Sequence, residues 1–83
     1  MDPVKVLQRA YQDELLDALR AEGAAQGVPY PHVRALLLEV ARRERAHAEA
    51  LAEALRRRGA PLPPTPKPEE GGWETLLRLL SEE

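Results

Sequence analysis

The sequence predicts an all-α chain: an antiparallel two-helix hairpin followed by a short third helix, with two hairpins expected to pair into a four-helix bundle. Three observations carry this reading. Two long stretches, from Pro3 to about Ala25 and from His32 to Arg58, place apolar residues at three- and four-residue spacing with no internal proline. Only the short segment Gly27-Val28-Pro29-Tyr30-Pro31 separates them, which leaves room for a reversal and little else. Nothing alternates with period two for long enough to suggest a strand.

The first helix has a clear start, because Asp2 is a good capping residue and Pro3 suits the first helical position. Gly23 is its one weak interior position. The second helix is rich in Ala and Leu and runs into Arg56-Arg57-Arg58-Gly59, where cations in the last turn and a glycine beyond them form a stop signal. Residues 1–59 are thus expected to form the hairpin. Residues 60–72 read as a linker, with five prolines in 60–68 that favour an extended, polyproline-like spacer able to carry the C-terminal segment to another chain. In 73–83, Trp73, Leu76, Leu77 and Leu80 stand at helical spacing, so a short amphipathic helix is expected there. Two helices cover one stripe of each other and leave a second flank wet, here including Leu15, Leu16, Leu19, Leu36, Leu38 and Leu55. A second copy is the expected cover, as a homodimer or a larger homo-oligomer.

Composition narrows the function classes. The 83 residues include no cysteine, so a disulfide framework, a zinc finger and an iron–sulfur cluster are excluded, and any metal must be held by oxygen and nitrogen. Twelve Lys and Arg against fourteen Asp and Glu give a formal charge of -2, without the positive field that nucleic acid or an anionic membrane surface calls for. The arginines of the second helix are interleaved with Glu39, Glu44, Glu49 and Glu53. No run reaches the roughly 20 apolar residues of a membrane span, and the N-terminus lacks signal-peptide character, so a cytoplasmic location is expected.

The chemistry lies in the stripes. On the first helix the spacing selects Val4, Leu7, Tyr11, Glu14, Ala18, Ala21 and Ala25; on the second it selects Val33, Leu37, Val40, Glu44, His47, Leu51 and Ala54. Glu44 and His47 are three residues apart and share a face. Glu14 lies 14 residues before Val28 and Glu44 lies 16 after it. At about 1.5 Å per residue each stands roughly 20 Å from the turn, so a hairpin brings the three groups level. Buried without compensation they would cost several kcal/mol per charge. In a two-fold dimer the layer holds four carboxylates and two imidazoles, a formal -4 with neutral histidines, which two divalent cations cancel. Carboxylate and imidazole donors suit iron or manganese better than magnesium, and zinc is also compatible. Tyr11, one turn from Glu14, reads mainly as packing, His32 as surface or capping, and Tyr30 as loop packing.

Glu44-Arg45-Ala46-His47 resembles the Glu-x-x-His motif of ferritin-like, carboxylate-bridged di-iron proteins, in which a bundle supplies one Glu from each of two helices and Glu-x-x-His from each of two others. The surrounding stretch from Leu37 to Leu51 is similar to the second helix of rubrerythrin-type domains. The resemblance covers about residues 4–58, and because four long helices do not fit one chain of this length it is nearest to the short encapsulated-ferritin branch, whose two-helix chains build one di-iron site across a dimer. It implies a ferritin-like four-helix bundle, with Glu14 as the first-helix ligand, Glu44 as the bridging carboxylate and His47 as the imidazole ligand. The activity it implies is ferroxidase-type oxidation of Fe(II) by oxygen or peroxide. Two departures stand out: Ala21 occupies the place where many members carry a tyrosine seven residues after the first glutamate, and the Leu79-Leu80-Ser81-Glu82-Glu83 tail does not resemble the peptide that docks cargo in an encapsulin shell. The alternative reading is a non-catalytic dimerisation or scaffold module in which Glu44 and His47 make ordinary polar bonds.

Overall fold

Asp2 opens the first helix by satisfying one of its unpaired donors. In the computed structural model, which describes residues 2–68, its Oδ1 accepts a hydrogen bond from the Val4 backbone N–H at 2.9 Å. Pro3 sits in the first turn, where its missing N–H costs nothing. Helix α1 spans Pro3–Gly27 and α2 spans Pro31–Arg57. Tyr30 gives α2 no side-chain cap; instead Arg34 reaches back, and its Nη2 donates to the Val28 carbonyl at 2.9 Å, fixing the turn. The two helices pack against each other, and no strand occurs among the described residues. No helix there is long and apolar enough to cross a membrane.

The core between the helices is made mostly of alanine. Buried apolar residues are Leu15, Ala18, Ala21, Ala24 and Ala25 on α1, Val28 in the turn, and Ala41, Ala48, Ala52 and Leu55 on α2. On α1 the expected stripe holds at Ala18, Ala21 and Ala25. On α2 the buried positions 41, 48, 52 and 55 each follow by one residue the expected Val40, His47, Leu51 and Ala54, which turns the seam by about 100°. Alanine lets two backbones approach closely, so the hairpin closes on its small residues and turns the bulkier stripe to the flank. Leu15 and Leu55, expected on the wet flank, are buried. Leu36 and Leu38 stay exposed, as do Val6 and Val40.

Glycine closes α2 as the stop signal suggested. Gly59 has φ +66°, its N–H donates to the Arg56 carbonyl at 2.9 Å, and the Ala60 N–H donates to the Leu55 carbonyl at 3.0 Å, the paired bonds of a Schellman cap. The cap sends the chain back along α1. There the carbonyls of Pro61 and Pro64 accept from the Gln8 and Gln12 side-chain amides at 3.0 and 3.2 Å. Proline-rich backbone keeps its carbonyls free for such bonds because it makes no ladder of its own. The segment expected to reach out as a spacer therefore lies, over its described part, on its own hairpin. Residues 69–72 of the linker and the expected helix at 73–83 fall outside the described residues.

Two glycines make opposite predictions. Gly23 lies inside α1 with nothing within 4 Å of an added Cβ, so Gly23→Ala is expected to raise stability by up to about 1 kcal/mol. Gly59 also faces open space but holds a left-handed backbone, so Gly59→Ala is expected to lower stability by about 1 kcal/mol through the backbone alone. Thermal melts followed by circular dichroism at 222 nm would move in opposite directions.

Candidate metal centre

Matched height along the hairpin brings Glu14 of α1 beside Glu44 and His47 of α2. One potential donor atom from each lies within 4.8 Å of the others. Two donors on one ion at about 2.1 Å sit at most about 4.2 Å apart, so a small side-chain rotation separates this arrangement from coordination spacing. The turned seam changes the surroundings expected for the group. The three residues line a flank of the hairpin rather than its centre: Glu14 and Glu44 are half-buried, and the His47 side chain is 61% exposed. Within one chain they are not sealed in a core, because the alanines one residue further along α2 occupy it.

The pairing inside the group is incomplete. Oε2 of Glu14 is buried and accepts no hydrogen bond, although His47 Nδ1 stands 3.4 Å away. Burying a carboxylate oxygen without a donor is unfavourable unless something supplies positive charge. Glu44 shows the same strain as a titration. Glu14, close enough to share a hydrogen bond, raises the Glu44 carboxyl above its ordinary 4.5, with burial and the Glu14 charge adding to the effect and the His47 and Arg43 charges opposing it. Two adjacent carboxylates favour keeping one proton. A cation among them removes that need.

Metal-free protein should carry the mark of this proton. Glu44 binds it more tightly in the folded state, so its contribution to stability is fully present below pH 4.5 and is lost as pH rises through the raised value. Glu44→Gln is expected to flatten that part of the stability–pH curve, as read from urea midpoints across the same interval. A midpoint trend unchanged by the substitution would contradict the assignment.

Tyr11 is half-buried one turn before Glu14. His32 is exposed at the start of α2, with its ring 6.2 Å from that of Tyr30, itself exposed. Arg45, between Glu44 and His47 in sequence, turns away from them to Glu22, with Nε and Nη2 donating to the two carboxylate oxygens at 2.6 and 2.8 Å. Sequence reading missed this pair because several arginines and glutamates have equal claim to partners.

The same flank carries apolar surface. Leu36, Val40, Glu44, His47 and Leu51 succeed one another at spacings of four, four, three and four on one face of α2. Leu36 is 64% and Val40 42% exposed. The polar cluster thus stands within an open apolar stripe.

The family model described as Rubrerythrin matches residues 5–72, a range that contains all three clustered residues. No match is found among curated proteins or among solved structures.

Proposed function

The chain belongs to the rubrerythrin family, and from that premise we propose that Glu14, Glu44 and His47 hold iron in a site completed by a second copy of the chain, where Fe(II) is oxidised by oxygen or peroxide. The observation that carries this reading is the buried, unbonded Oε2 of Glu14 facing His47 Nδ1 beside a second carboxylate. That atom calls for a cation, and its neighbours are donors suited to one.

The donors divide by chemistry. By the family resemblance Glu44 would take the bridging role, Glu14 would bind from the opposite helix, and His47 offers the nitrogen that already faces Glu14. Iron, when bound, supplies two one-electron donors to the oxidant as each Fe(II) becomes Fe(III). The protein fixes the spacing of the donors and excludes water. Exclusion requires the second copy, because His47, Leu36 and Val40 are open in the single chain. Two copies meeting on this flank bury the apolar stripe and set four carboxylates and two imidazoles around about two ions, the di-iron composition of ferritin-like bundles. Manganese and zinc fit the same donors.

Fe(II) added in air to metal-free protein tests this. A saturable near-ultraviolet absorbance, with oxidation faster than in buffer, is expected. Uptake that never saturates, or that is the same in Glu44→Ala and His47→Ala, would leave only a helical dimerisation module.

A further inference from the structure

We infer that the Glu22–Arg45 pair is a positioning device that sets the register of α2 against α1 and so holds Glu44 and His47 opposite Glu14. The inference rests on the metal-binding reading above for its consequence, but not for its geometry. Seven of the ten buried apolar residues are alanines, placed along both helices. Such a seam specifies register weakly, since a slip of one turn, about 5.4 Å, sets alanine against alanine again. That slip exceeds the 4.8 Å within which the three donors lie. The short turn, held by Arg34, restrains sliding at its own end; farther along the helices, where packing distinguishes the registers weakly, a directional polar pair is the best-attested means.

The pair is built for that task. Arg45 engages both Glu22 oxygens through Nε and Nη2, a fork geometry that fixes orientation as well as distance. Glu22 is eight residues beyond Glu14, whereas Arg45 adjoins Glu44. The contact therefore runs diagonally along the hairpin rather than straight across it. Side chains lean toward the N-terminus of their own helix, which in an antiparallel pair brings these two toward each other. A diagonal tether resists sliding in a way that a level contact does not. At about 100° per residue Arg45 lies across Ala41 and Ala48 from Glu44, so the pair and the cluster flank the seam from opposite sides and the tether also resists rotation of α2.

The test measures register and metal separately. The chain has no cysteine, so Glu14→Cys with His47→Cys reports their approach by the rate of intramolecular disulfide formation. Adding Arg45→Gln is expected to slow that rate, and in the otherwise unchanged chain Glu22→Gln or Arg45→Gln is expected to weaken Co(II) binding about tenfold, the low end of effects seen for groups that orient ligands. The visible Co(II) band should shift while helix content stays the same. Exchanging the partners, Glu22→Arg with Arg45→Glu, should restore both readouts, and Arg57→Gln, which removes an ion pair within α2, should change neither. An unchanged disulfide rate, or no recovery on exchange, would overturn the inference. Absence of Co(II) uptake by the parent chain would instead overturn the metal reading, and the disulfide rate would still decide the register.

Discussion

An anaerobic Fe(II) titration of His47→Ala or Glu44→Ala is expected to show affinity reduced by at least about 100-fold, beyond the loss typical when only a group supporting a ligand is removed. Each chain has three clustered donors, with no further histidine or carboxylate among the described residues placed to substitute. Stability should respond differently from binding. Glu44 is held against the Glu14 carboxylate and kept above its ordinary titration range by it, so its removal relieves a repulsion. At a pH above the raised Glu44 titration, where both carboxylates are ionised, metal-free Glu44→Ala should therefore melt no lower than the parent, by circular dichroism. A residue that costs binding but not stability when lost is retained for chemistry rather than for the fold. A large drop in melting temperature with unchanged iron affinity would reverse that conclusion.

The second large effect concerns the seam. Ala18 is fully buried one turn beyond Glu14, on the face that allows the helices to approach. Ala18→Leu inserts a bulkier side chain into this contact and is expected to cost about 1–3 kcal/mol. For a chain of this size that lowers the melting temperature by roughly 4–24 °C. Iron affinity should fall with it, because widening the seam withdraws Glu14 from the α2 donors. Ala35→Leu, at an exposed position of α2, should stay within about 0.5 kcal/mol of the parent and bind iron normally. Equal effects at the two positions would show that close approach of the helices is not what assembles the cluster.

The hairpin was legible because its signals are local. Asp2-Pro3, the short turn and the Arg-rich end before Gly59 each act within a few residues, and each sits where the structure uses it. Convergence of Glu14, Glu44 and His47 was legible for a similar reason, since axial position along a helix comes from counting residues. Rotation was not. Val40 and Ala41, His47 and Ala48, and Leu51 and Ala52 are adjacent pairs that all lie within one broad apolar side of α2, and periodicity locates that side without saying which edge touches α1. Closest approach favours the alanines, a preference of packing rather than of pattern. The placement of 60–68 on α1 was hidden for a different reason: it depends on Gln8 and Gln12 reaching carbonyls more than fifty residues away in sequence.

The proposed function turns on a metal-holding site that two copies of the chain would share on the flank bearing Glu14, Glu44 and His47. Native mass spectrometry of Fe(II)-loaded protein, kept free of oxygen, counts chains and ions in the same particle. The expected species contains two chains, or an even multiple, with about one iron per chain. Particles of one chain that retain iron, or paired chains that carry none, would contradict it.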